Sequence, residues 1–291
     1  MTADIVQTKI HPKTRIGAIS LTVTDLERSV TFYQQVLGLK LHSLEDGSAW
    51  LGTKAVPELL NLVELSGAKR TPGKTGLYHM AFIVPSRKAL ARIFAHLLQT
   101  NWRLQGAADH LVSEALYLAD PDDNGIEIYR DRPRETWTAR DGQIQMATDP
   151  LDAEGILAEI AHDSEPWHGI DPDTHMGHIH LKVSNIPEAQ SFYCDVIGFD
   201  LVTRYGPSAA FVSAGGYHHH LGMNTWESAG APAPEKGAVG LRYFEIQLPT
   251  QDDLEQLTLR LRNAEWPYHL GQDGLVVADP SGNAIHFNLG K

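Results

Sequence analysis

Gly17-Ala-Ile-Ser-Leu-Thr-Val-Thr-Asp25, followed by Phe32-Tyr33 and Val36-Leu-Gly-Leu-Lys-Leu41, decides the fold because it occurs twice. It returns at a constant offset as Gly177-His-Ile-His-Leu-Lys-Val-Ser-Asn185, then Phe192-Tyr193 and Val196-Ile-Gly-Phe-Asp-Leu201. Self-similarity of this kind marks a repeated structural unit. Ile19, Leu21 and Val23 fall on one face of a strand, and Ala18, Ser20 and Thr22 on the other. The covering element follows directly: Asp25 is placed to cap a helix in which Leu26, Val30, Tyr33 and Leu37 recur at helical spacing until Gly38 stops it. Working outward, Gly76-Leu-Tyr-His-Met-Ala-Phe-Ile-Val-Pro85 matches Gly240-Leu-Arg-Tyr-Phe-Glu-Ile-Gln-Leu-Pro249, and Asp120-Pro-Asp-Asp-Asn-Gly-Ile-Glu127 matches Asp279-Pro-Ser-Gly-Asn-Ala-Ile-His286. Each half therefore holds two units of the form β-α-β-β-β. In the second unit Met80, Phe82 and Val84 form the covered face, His79, Ala81 and Ile83 the open one, and Arg87 to Gln99 the helix. A unit's helix covers one sheet face only, so the other face can line a cleft when two units join.

The repeat divides the chain into an N-terminal half, 1–133, with modules over about 15–66 and 76–133, and a C-terminal half, 176–291, with modules over about 176–226 and 238–291. Residues 134–175 connect them. This segment is rich in Asp and Pro; Asp149-Pro150 reads as an N-cap with proline at the first helical position, and Leu151, Leu157 and Ile160 give a modest stripe by which it docks. Over 291 residues, 42% are hydrophobic and 21% charged, which supports a folded core and excludes general disorder. The net charge of −12 has the wrong sign for nucleic acid or an anionic membrane surface. Met1 to Arg15 contains no apolar stretch and no window approaches a membrane span, so the expected address is the cytoplasm. Cys194 is the single cysteine, which removes disulfides and Cys-rich metal sites; a metal would need His and carboxylates, and 15 His are present.

Asp109-His-Leu-Val-Ser-Glu-Ala-Leu-Tyr-Leu-Ala-Asp-Pro121 and Tyr217-His-His-His-Leu-Gly-Met-Asn-Thr-Trp226, set in this repeat, resemble the vicinal oxygen chelate superfamily. Within it they resemble the bacterial catechol 2,3-dioxygenase group, the type I extradiol ring-cleaving enzymes. The resemblance covers nearly the whole chain. It implies an α+β fold in which four βαβββ modules pair into two curved mixed sheets, and a metal; it says less about the reaction.

Metal ligands in that superfamily are expected on cleft-facing positions of first and last strands. The equivalent first-strand positions are Ala18, His79, His178 and Tyr243, and those on the last strands of the even modules are Glu127 and His286. A non-haem Fe(II) oxygenase wants two imidazoles and one carboxylate with open positions beside them. Only His79, Glu127 and His178 complete that set, and all three lie out of phase with their apolar neighbours. They come from modules two and three, whereas the family pattern draws its ligands from one half. The preferred arrangement is therefore crossed pairing, two with three and one with four, leaving Ala18, Tyr243 and His286 as a degenerate partner. The alternative is that the three meet across a dimer interface.

Around such a metal the resemblance implies an acid–base residue and a substrate-binding tyrosine. His219 matches the family's histidine, while simple alternation with Leu221 and Met223 would instead turn His218 and His220 into the cleft; His220 is the next candidate. Tyr117 stands at the spacing of the tyrosine, with His110 upstream, and its counterpart in module four is Val276. His180 shares a strand face with His178 and is a candidate substrate contact. Gly125, Gly215 and Gly216 read as turn residues, and the two Phe-Tyr pairs as packing. The expected activity is extradiol cleavage of a small aromatic diol with dioxygen and Fe(II), or Mn(II) as the alternative metal. A glyoxalase-like metal-dependent isomerase or lyase and a non-catalytic binding protein of the same fold are the competing readings. Oligomeric state stays open, a homo-oligomer included.

Overall fold

The computed structural model describes residues 8–140, 142–271 and 274–290; Met1 to Gln7, part of the stretch used above for the address, lie outside the described residues. The first module runs β1 (Arg15–Val23), α1 (Leu26–Gln35), β2 (Lys40–Glu45), β3 (Ser48–Gly52) and β4 (Leu60–Glu64). The second is β5 (Gly76–Ile83), α2 (Arg87–Thr100), β6 (Leu104–Asp109), β7 (Ser113–Ala119) and β8 (Gly125–Asp131). The connecting segment holds a short hairpin, β9 (Ala139–Arg140) and β10 (Gln143–Ile144), and α3 (Ala153–Ala158). The third module comprises β11 (His175–Lys182), α4 (Ile186–Ser191), β12 (Asp200–Tyr205), β13 (Ala209–Ser213) and β14 (Leu221–Asn224). The fourth comprises β15 (Gly240–Leu248), α5 (Gln251–Asn263), β16 (Tyr268–Gly271), β17 (Gly274–Ala278) and β18 (Ala284–Leu289). No helix among the described residues is long and apolar enough to cross a membrane.

Among the described residues the strands form two mixed eight-stranded sheets and the small hairpin. One sheet has the order β16-β17-β18-β15-β1-β4-β3-β2, the other β12-β13-β14-β11-β5-β8-β7-β6. Module four thus joins module one, and module three joins module two. Pairing is crossed between the halves. The first strands meet antiparallel at each sheet's centre, β1 with β15 and β5 with β11. Each first strand also pairs parallel with the last strand of its own module. Parallel neighbours need a crossover, and the module helix supplies it.

Local chemistry follows the repeat. Asp25 caps α1 by accepting from the Arg28 N–H, and Gly38 takes the left-handed conformation at φ +75° that ends the turn. Phe32, Tyr33, Phe192 and Tyr193 are buried in the common core. Tyr33 donates to Asp120 at 2.9 Å and Tyr193 to Asp279 at 3.1 Å, so each Asp-Pro turn is tied in the same way to the Phe-Tyr pair of the other module in its half. Ile19, Leu21 and Val23 from one sheet and Met80, Phe82 and Val84 from the other belong to one continuous hydrophobic cluster. The open face of the second sheet keeps a separate small cluster, Ala81, Ala115 and Tyr129.

Two local expectations are corrected. Helix α3 starts after Asp152, whose side chain accepts from the Gly155 N–H, and not at Asp149-Pro150. Asp149 is occupied elsewhere: it exchanges two 2.9 Å backbone hydrogen bonds with Asp109. Gly125 is not a turn residue. It opens β8, where an added Cβ would stand 2.1 Å from the Tyr78 carbonyl oxygen, so close approach of two backbones requires glycine. Gly215 and Gly216 do sit at positive φ in a turn.

Candidate metal centre

Three adjacent strands at the centre of the second sheet carry His79 (β5), Glu127 (β8) and His178 (β11). In register, Ala81 lies beside Glu127 on one side and His178 on the other, so the small methyl at the middle leaves room for the larger side chains that flank it. An irregularity in β11 between Met176 and His178 adjusts the aim of His178. Gly222 performs a similar service for His180, since a Cβ there would come 2.9 Å from the imidazole.

Glu127 Oε2 lies 3.0 Å from His79 Nε2 and 3.1 Å from His178 Nε2, and all three side chains are buried. Candidate ligand atoms from the three residues fall within 4.8 Å of one another. Neighbouring ligands about 2.0–2.2 Å from one ion and at right angles to each other would stand about 3 Å apart, which fits the two distances from Glu127. Among the described residues, His79 Nε2 is buried without a hydrogen bond of proper geometry despite its closeness to Glu127, and His178 Nδ1 has no partner. Leaving such atoms unsatisfied costs about 1–3 kcal/mol each, and an ion beside His79 Nε2 would relieve the first. Burial lowers His178 to about 4, against the opposing pull of Glu127, so its ring is neutral at pH 7. Burial alone would raise Glu127, but His178 and His79 hold it well below the carboxylate range. A neutral His178 and an ionised Glu127 are in the protonation states that bind a divalent transition metal.

A cavity of about 870 Å³ opens beside this cluster and is lined by His79, Glu127, His110, Tyr117, His180 and His219, among others. His219 lies with its ring centroid 4.1 Å from that of His178, and burial followed by the neighbouring imidazoles pushes its pKa well down. Tyr117, opposite Glu127 in the sheet, is 2.6 Å from His110 Nε2. His110 Nδ1 faces the Ala147 carbonyl at 2.6 Å and must donate there, so Nε2 accepts and Tyr117 donates. His180 Nε2 accepts from the Asn224 amide at 3.0 Å and turns its ring to the cavity near Phe211 and Trp226.

His220 does not line this cavity. Its Nδ1 accepts from the Ala214 N–H at 3.1 Å, on the far side of the segment. Alternation from β14 gave the opposite orientation because Tyr217 to His220 precede the strand in a bent segment, although the His220 backbone still bonds Val212 and Ile179. Two contributors had no signal in the sequence. Residues 143–148 of the connecting segment form part of the cavity wall, and the buried Tyr129, whose hydroxyl is 2.8 Å from that of Tyr217, packs its ring against His178.

Residues 15–128 and 175–287 match the model of the glyoxalase/bleomycin resistance protein/dioxygenase superfamily. The chain belongs to this superfamily. Within the superfamily it is 44% identical over 285 residues to catechol-2,3-dioxygenase of Bacillus subtilis (strain 168), a match covering 96% of this chain and 99% of that protein. It is 26% identical over 119 residues to biphenyl-2,3-diol 1,2-dioxygenase 3 of Rhodococcus globerulus, covering 39% of this chain and 62% of the relative. Among solved structures, a putative dioxygenase from Bacillus subtilis aligns with a TM-score of 0.63 at 15% identity over 97% of this chain and 86% of that one. Glyoxalase I from Zea mays aligns with a TM-score of 0.56 at 15% identity, covering 94% and 92%. These two likenesses establish the superfamily fold; the full-length relationship to the Bacillus enzyme makes this chain a catechol-2,3-dioxygenase-like member.

Proposed function

We propose that the protein is an extradiol dioxygenase of the cytoplasm that opens a catecholic ring beside its diol with dioxygen, at Fe(II), or alternatively Mn(II), held by His79, Glu127 and His178. The observation that carries this reading is the buried His-His-Glu cluster beside a cavity of ligand-binding size, in a chain related along its whole length to a catechol-2,3-dioxygenase. When bound, such an ion supplies the Lewis acidity and electron transfer that let a diol react with dioxygen.

The residues around it hold the substrate and manage its protons. Neutral His219 is the base that takes a proton from a diol hydroxyl and returns it later to the opening ring. Because Tyr117 spends its own proton on His110, its oxygen is free to accept from the second hydroxyl. His180, with Nε2 engaged by Asn224, offers its ring as one wall of the substrate cavity that His110 and Tyr117 also line.

Anaerobic loading with Fe(II), followed by oxygen uptake with a panel of catechols, tests the reading. Oxygen consumption with formation of a coloured ring-opened product is expected. His219→Phe should lower turnover by about 10²–10⁴-fold while metal content is kept. Absence of oxygen uptake and of any diol-dependent spectral change, together with isomerisation of a glutathione-type hemithioacetal, would replace this reading by a glyoxalase-like one.

A further inference from the structure

Three side chains run in series from the end of β8 to the cavity. Asp131 Oδ1 lies 2.8 Å from His218 Nε2, and His218 Nδ1 lies 2.9 Å from His219 Nδ1. His218 is fully buried beside the rings of Tyr217 and Trp137, at 4.1 and 5.2 Å between centroids, so water cannot replace either of its hydrogen bonds. Asp131 belongs to module two and both histidines to module three; the series exists because the modules share one sheet.

The chemistry of the groups dictates where the protons lie. An ionised carboxylate only accepts, so His218 Nε2 carries its proton toward Asp131. A neutral His218 then has a bare Nδ1, which can only accept. The proton in the bond between the two imidazoles must therefore sit on His219 Nδ1, leaving His219 Nε2 unprotonated as the nitrogen available to the cavity. Histidine in water prefers the other tautomer, with the proton on Nε2. We propose that Asp131 and His218 are positioning residues that impose the Nδ1–H tautomer on His219 and so present a bare Nε2 to the cavity.

The tautomer decides what His219 can do. A bare Nε2 can take a proton from a substrate O–H, the O–H bond breaking as the N–H bond forms, whereas an Nε2–H could only donate. Which substrate gives that proton rests on the dioxygenase reading; the tautomer does not.

The test uses the metal-free full-length protein labelled with ¹⁵N at histidine, without substrate. The spectra are recorded at pH 8, above the ordinary imidazole value of about 6.5. The His219 resonances, assigned by their loss in His219→Gln, should show a protonated Nδ1 and an unprotonated Nε2. In Asp131→Asn and His218→Phe the pattern should move toward Nε2–H, and Asp131→Glu, which keeps the carboxylate, should retain the wild-type pattern. A protonated Nε2 in the wild-type protein would overturn the proposal, as would an unchanged His219 pattern in both disrupting variants when they are folded. The wild-type spectrum decides even if a variant does not fold. Because no metal, oxygen or catechol takes part, failure of the dioxygenase reading would leave this result untouched, and the reverse also holds.

Discussion

His79 Nε2, 3.0 Å from Glu127, is buried without a hydrogen bond of proper geometry among the described residues, and so is an atom that an ion would satisfy. His79→Ala, Glu127→Ala and His178→Ala should each abolish stoichiometric binding of a divalent metal while far-UV circular dichroism remains that of the wild type; full occupancy in all three would contradict the site. His220 makes a different prediction because its imidazole is structural. Burial, followed by the nearby imidazoles, lowers it to about 3, and its Nδ1 must stay unprotonated to accept from Ala214. The unfolded chain binds a proton there below about pH 6.5 and the folded protein does not until about pH 3, so this contribution to stability is complete above pH 6.5 and is lost as pH falls toward 3. Melting temperatures of metal-free protein should therefore fall between pH 7 and 4.5, with a shallower fall in His220→Gln. The three candidate ligands were legible in the sequence because the repeat fixed their register, and register fixes which face a strand side chain occupies. His220 was not, because it sits at the bend that enters β14, where alternation no longer holds. Asp131 was invisible for another reason: its partner His218 is distant in the chain, and only the paired modules bring them together.

The same contrast holds for the elements. Repeated Phe-Tyr pairs announced equivalent helices, yet module one forms a regular α1, while module three has the shorter α4 followed by a wider turn over Phe192–Ile197 before Gly198 at φ +99°. Identical anchors tolerate this difference because burial of the ring pair and the tyrosine hydroxyl bond are preserved in both. Tyr33→Phe should remove the hydrogen bond to the buried Asp120 without changing the packed volume much, and lower the free energy of unfolding in urea by about 1–3 kcal/mol. A change below about 0.3 kcal/mol would show that the Asp120 carboxyl finds adequate partners in its own turn, where the Asp122 and Asn124 amides already donate to it. The connecting segment was legible as docked but not in detail. Arg87 at the start of α2 reaches Glu114, Asp152 and the Gly155 carbonyl, all near 3.1 Å, and these tertiary bonds help set where α3 lies. A local cap pattern at Asp149 could not reveal that.

At the scale of the molecule, duplication has separated two tasks. The sheet of modules two and three holds His79, Glu127 and His178; at the corresponding positions of the other sheet Ala18 carries no ligand, and Tyr243 and His286 stack at 3.9 Å with planes 2° apart. One metal per chain is the expected stoichiometry, and Tyr243→Ala or His286→Ala should leave it unchanged. Crossed pairing leads to a stricter expectation. Residues 1–133 contain His79 and Glu127 but leave the β5 edge without β11, while residues 176–291 contain His178 and lack both partners. A central strand laid open loses its ladder partner and becomes a template for mispairing, and neither piece can close the three-ligand cluster alone. Produced separately, the two pieces should each fail to bind one equivalent of metal with the affinity of the intact chain; produced together with the connecting segment kept on one of them, they should regain it. Stoichiometric, tight binding by either piece alone would mean that the ligands can be gathered within one half, and that the metal site does not depend on crossed pairing.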